Sequence, residues 1–176
     1  MIRGMVRGAA AGTFATAAMS GLMLAGARAG LIGQQPPRRI ARAFLPGHRH
    51  RPKPGERALG TLAHFGFGAA SGALFGLLVG DRRPRLTTGV GYALAIWAAS
   101  YQGWVPEMKI MPPISADRPG RVGVMAGAHV VYGAALVLAL RLTARRRRAP
   151  EAVAPVGPPS DRALAPVGGG HPGRPC

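Results

Sequence analysis

Two histidines, His64 and His129, fall inside stretches that carry no charged side chain. An ionisable group at intramembrane depth is costly, so its presence points to function. Imidazoles there can ligate haem or a metal ion, or relay a proton. Counted from the starts of their uncharged stretches at Ala58 and Val122, the histidines lie 6 and 7 residues in. If successive helices alternate in direction, both enter from the same side. At ~1.5 Å per residue, both then sit roughly 10 Å below one surface. Tyr101 and Glu107, at the end of the intervening stretch, reach the same layer. His64, His129, Tyr101 and Glu107 therefore form a candidate intramembrane polar site. A plainer reading gives each histidine a bond to backbone or to a hydroxyl such as Thr13 or Thr61. On that reading Tyr101 and Trp104 anchor a helix at the interface, and Met19, Met23 and Met125 pack or face lipid.

The elements that would position these residues are read from charge. The chain has 176 residues, enough for one domain. Only 16% are charged, against about 25% in an ordinary soluble domain. Those charges cluster and leave four runs free, at 8–27, 58–80, 86–105 and 122–140. About 20 helical residues cross the ~30 Å hydrocarbon layer, and backbone in lipid must satisfy its own hydrogen bonds. The expectation is an all-α membrane protein, a four-transmembrane-helix bundle over residues 1–143. Its spans would run about 6–27, 58–80, 86–105 and 122–142. The first run also imitates a secretory signal, but it exceeds the usual apolar core of about 7–15 residues.

Small residues recur every four positions in two spans. Gly60, Gly68, Gly72, Gly76 and Gly80 form one register, with His64 in the gap, and Gly4, Gly8, Gly12, Thr16 and Ser20 form another. Residues four apart share a helix face, and small ones allow the close approach that drives association in lipid. Gly8, Gly12, Gly60, Gly68, Gly72, Gly76, and the shorter pair Gly123 and Gly127, are the expected packing positions. The five-residue connection at 81–85 predicts a tight antiparallel pair of spans two and three.

In the first loop, Pro36-Pro37 suits a helix start, predicting an interfacial helix over 36–45. Ile40, Ala41, Phe44 and Leu45 would share its apolar face, opposite Arg38, Arg39 and Arg42. His48 and His50 follow, without a third metal ligand in view, so a solvated basic loop is the reading and no metal is expected. Residues 144–176 read as a disordered basic, Pro- and Gly-rich tail, opened by Arg145, Arg146, Arg147 and Arg148.

Net charge is +17. The arginines border apolar runs rather than cover one face, which favours anionic lipid head groups over nucleic acid as the partner. Arg82, Arg83, Arg85 and the cluster at 145–148 put both termini in the cytoplasm. The single cysteine, Cys176, excludes an intrachain disulfide. No phosphate loop, Gly-x-Ser-x-Gly or His-Glu-x-x-His occurs, so no catalytic residue and no cofactor is expected.

The run Gly8-Ala9-Ala10-Ala11-Gly12-Thr13-Phe14-Ala15-Thr16-Ala17-Ala18-Met19-Ser20 resembles the first span of the uncharacterised YagU-like bacterial inner-membrane proteins and relatives. Pro36-Pro37-Arg38-Arg39, Leu62-Ala63-His64-Phe65, Met111-Pro112-Pro113 and Gly127-Ala128-His129 fit the same pattern, together covering roughly residues 1–148. The resemblance implies a four-span inner-membrane protein with cytoplasmic termini, and no catalytic residue carries over with it. The leading expectation is a structural or interaction role, alone, as a homo-oligomer or with a membrane-protein partner. The competing ones, using His64 and His129, are a conduit for a proton, metal or small solute, and a haem- or metal-binding subunit.

Overall fold

The computed structural model describes residues 1–48, 51–80 and 82–146, with backbone only for Arg145 and Arg146. His50, Asp81, Arg147, Arg148 and most of the 144–176 tail lie outside the described residues, as do the side chains of the first two arginines of that cluster.

Every regular element among the described residues is helical. Six α-helices follow in order: α1 (Ile2–Arg28), α2 (Pro36–Phe44), α3 (Glu56–Val79), α4 (Leu86–Gln102), α5 (Trp104–Glu107) and α6 (Pro119–Arg146), with a 3-10 turn at Ile114–Ala116. Three of them, α1, α3 and α6, are long and apolar enough to cross a membrane. Helix α4 has 17 residues, about 25 Å, and stops at Gly103.

Local signals explain the ends. Gly30 takes a positive φ of 73° after α1. Leu31 N–H then bonds Gly26 O at 3.0 Å, and Gly30 N–H bonds Ala27 O at 3.1 Å, a Schellman stop. Pro36 and Pro37 occupy the first turn of α2, where their missing N–H groups cost nothing.

Around the bundle the order is α3, α1, α6, α4. The α1–α3 contact is backbone on backbone. A Cβ at Gly4 would lie 2.9 Å from Gly76 O, and one at Gly72 would lie 2.7 Å from Gly12 Cα. Positions rise along α1 as they fall along α3, as an antiparallel pair requires. Thr16 meets Gly68 at the next step, its hydroxyl donating to Gly12 O at 2.8 Å. Met19 and Met23 extend this buried face of α1.

Two expected contacts fall elsewhere. Nothing stands within 4 Å of a Cβ placed on Gly123, and Gly127 would meet only Leu22 at 3.5 Å. The close approach of α6 is made instead by Gly133, where a Cβ would lie 2.7 Å from Val90 Cα, with Gly89 opposite. Helix α4 thus docks on α6. Despite their short connection, α3 and α4 are not packed side by side. The bulky Tyr92 stands between them, its hydroxyl donating to Ser71 O at 2.8 Å and its ring 5.0 Å from Phe75.

Candidate functional site

The separation of α3 from α4 leaves a cavity of about 270 Å³ inside the bundle. Its walls come from α1 (Thr16, Met19, Met23), α3 (Ala63, His64, Phe67, Ser71), α4 (Ala93, Ile96, Trp97, Ser100) and α6 (Met125, His129, Tyr132). Tyr101, Trp104, Val105 and Met111 line it at the same end as Pro36, Pro37 and Ile40 of α2, which form its roof. Phe67 lines the cavity and is 53% exposed, so this wall reaches the protein surface. Tyr132 fixes the inner end, donating to Gly68 O at 2.7 Å.

Polar groups in this apolar space are few. Nε2 of His64 and Nε1 of Trp97 are buried without a hydrogen-bond partner. Such groups are uncommon, because an unmet buried donor or acceptor costs about 1–3 kcal/mol. His129 is different. Its Nδ1 lies 2.8 Å from Met125 O, and only a protonated nitrogen bonds a carbonyl. Nδ1 therefore carries the proton, which leaves Nε2 of the neutral ring as an acceptor. The Trp97 ring lies between His129 and Tyr101, with centroid distances of 6.2 and 5.7 Å.

Of the four residues that the sequence groups together, His64, His129 and Tyr101 line this one cavity, whereas Glu107 is exposed and does not. The Tyr101 hydroxyl donates to Asp117, which also pairs with Arg121 at 3.0 Å. Asp117 thus occupies the acidic place that spacing gives to Glu107, and a bend of the third loop, not a periodicity, brings it there. Thr13 and Thr61 do not reach the histidines. Each hydroxyl donates to its own helix, to Ala9 O and Arg57 O. Trp97 escapes a reading based on charge, since an indole inside an apolar run carries no signal of its own.

The roof is tied down by ions. Glu56, at the start of α3 and ahead of the uncharged run at 58, accepts Arg42 Nε at 2.6 Å and Nη2 at 2.8 Å. It also accepts Arg38 Nη2 at 2.9 Å and Lys53 N–H at 3.1 Å. Lys53 Nζ in turn donates to Arg42 O, at 2.9 Å, and to Leu45 O, capping the end of α2. Arg42 is therefore buried, although helix periodicity puts it opposite Ile40 and Ala41, while Phe44 is exposed. The Arg42 guanidinium, chiefly, holds the Glu56 carboxyl down to about 2, far below its ordinary value. On the floor side of Pro37, a Cβ at Gly60 would lie 2.9 Å from Pro37 O, so that glycine seats α2 rather than a long helix.

A second hollow, of about 510 Å³, adjoins the first. Gln34, Gln35, Arg38, Arg57 and Thr61 line it, and His64 borders both. Among the described residues no three His, Cys, Asp or Glu side chains stand together as metal ligands.

The chain belongs to the family of unknown function DUF6789, whose model matches residues 2–151. No curated protein and no solved structure matches the chain.

Proposed function

We propose that this DUF6789 member is a multi-pass membrane protein whose bundle holds a lipophilic small molecule in the cavity beneath α2. One observation carries this. A space of about 270 Å³ is walled by every long helix and is almost wholly apolar. A cavity of about 150 Å³ already admits benzene. The gap between α3 and α4 gives such a molecule a way in from the bilayer.

In this reading α4, continued by α5, is the fourth crossing, and the backbone contact of α1 with α3 is the packing ridge of the bundle. The YagU-like resemblance supports a bacterial inner membrane. The arginines at 82, 83, 85 and 145–148 support cytoplasmic termini and contact with anionic lipid heads. The cavity then lies toward the opposite leaflet. The role is binding rather than catalysis, and a purely structural role leaves an apolar space of that size unexplained.

Ala63→Phe tests this reading, because Ala63 is exposed on its helix yet lines the cavity. Native mass spectrometry from detergent should show a bound small molecule on the wild-type chain and none on the variant. An empty wild-type chain would contradict it. His64, standing between the hollow and the cavity, favours a proton conduit as the second reading. That role requires pH-dependent flux in liposomes that falls in His64→Ala, and flux unaltered by the substitution removes it.

A further inference from the structure

The packing ridge of α1 and α3 does not run the length of the two helices. Beyond Thr16 and Gly68, His64 takes the next place in the small-residue register, and Gly60, one step further, seats Pro37 of α2 instead of α1. The second hollow lies where the ridge stops. Its α1 wall is Ser20, Met23, Leu24 and Ala27, and its α3 wall is Arg57, Thr61, His64 and Phe65, each set spaced as one helix face. Gln34, Gln35 and Arg38, where the chain enters α2, complete it.

This hollow is charged where the cavity is not. Between Pro36 and Arg57 the sequence sets seven Lys and Arg against one acidic residue, Glu56, which Arg42 and Arg38 already engage. Arg57 forms no ion pair among the described residues. Cations without counter-charge along a concave wall favour an anion, and Gln34 and Gln35 add amide donors. Depth sorts the two spaces. Arg57 stands just ahead of the uncharged run at 58, the level of lipid head groups, and His64 lies 7 residues further in, roughly 10 Å deeper. Met23, Pro37 and His64 line both spaces, so the charged level adjoins the apolar one.

From this order we infer that the bound molecule is an anionic phospholipid, its phosphate in the second hollow beside Arg57 and Arg38 and one acyl chain in the apolar cavity. The inference rests on the binding reading above and deepens it. A phosphate ester suits guanidinium groups that lack counter-charge, because charge-assisted hydrogen bonds are the strong ones. Lipid is the source rather than a soluble phosphate, because the anion site shares three residues with a cavity that is almost wholly apolar. Binding alone is assigned, with no transfer of the lipid across the bilayer.

Two lipids with the same acyl chains separate head from tail. Native mass spectrometry of the full chain, titrated in detergent with dioleoylphosphatidylglycerol or dioleoylphosphatidylcholine, should show the anionic lipid bound about tenfold tighter, the worth of one charge-assisted hydrogen bond. Arg57→Gln should weaken phosphatidylglycerol several-fold and leave phosphatidylcholine unchanged. Arg118→Gln, at an exposed cation of the third loop outside the hollow, should change neither. Ala63→Phe should weaken both lipids, and glycerol 3-phosphate at equal concentration should displace neither. Four results would each overturn the inference and leave the cavity reading standing: equal affinity of the wild-type chain for both lipids, equal losses in Arg57→Gln and Arg118→Gln, phosphatidylglycerol binding unaltered in Ala63→Phe, or displacement by glycerol 3-phosphate. Retention of neither lipid would also overturn it, and the cavity reading would fall with it only where the wild-type chain holds no other molecule.

Discussion

Gly72→Leu should abolish recovery of a folded, monodisperse protein from detergent, while Gly123→Ala should leave its melting temperature unchanged or slightly raised. The two substitutions differ in what an added atom meets. A Cβ on Gly72 would lie 2.7 Å from Gly12 Cα and 2.9 Å from Gly12 N, both backbone atoms that cannot rotate away. Adding a side chain to a filled contact ordinarily costs about 1–3 kcal/mol. Here the whole of α1 must move, so the loss should exceed that range. The damage also spreads, since Gly4–Gly76, Gly8–Gly72 and Thr16–Gly68 contacts lie along one ridge and separate together. Gly123 meets nothing within 4 Å, and glycine in a helix interior is about 1 kcal/mol worse than alanine. Size-exclusion chromatography and a thermal melt in the same detergent check both. A Gly72→Leu protein as stable as wild type would mean that α1 and α3 do not meet backbone to backbone.

Glu56→Gln should free α2 from the bundle without unfolding the long helices. Glu56 is 3% exposed and collects Arg42, Arg38 and the Lys53 amide, so the neutral amide leaves a buried guanidinium without its counter-charge. Limited trypsin digestion should then cut after Arg39 and Arg42 at least tenfold faster than in the wild type. The same attachment should respond to acid. The Glu56 carboxyl is held at about 2 in the folded chain, against an ordinary 4.5. A depressed carboxylate contributes its full stabilisation above the unfolded value and loses it as protons are taken up below. The strap should thus hold above pH 4.5 and weaken as pH falls from there toward 2. Pepsin cleavage at the exposed Phe44, normalised to a free peptide of residues 36–48, should rise steeply across that window in the wild type and stay high throughout in Glu56→Gln. A flat wild-type profile would show that the ion cluster does not hold the roof.

What the sequence discloses here depends on whether a feature repeats. The small-residue registers through Gly8, Gly12, Gly72 and Gly76 are legible because four-residue spacing marks one face of any helix. His64 and His129 are legible as neighbours because rise per residue converts position into depth, and both line the cavity. Features made by single residues are not legible in this way. Gly89 and Gly133 belong to no register, yet they bring α4 onto α6, and so set the gap that becomes the cavity. Asp117 bonds Tyr101 because a loop turns back, and no helical periodicity encodes that return. Arg42 looks like a surface cation until Glu56, 14 positions later, is placed beneath it. Trp97 is one apolar letter among many, and only its buried, unmet N–H sets it apart.

Helices α1, α3 and α6 are long and apolar enough to cross a membrane, and alkaline carbonate extraction of cell membranes tests the proposed bilayer residence most directly. The full chain should stay in the pellet through a pH 11 wash and pass into the supernatant only when detergent is added. Release into the carbonate supernatant, or recovery as a stable detergent-free monomer, would contradict the account at its foundation.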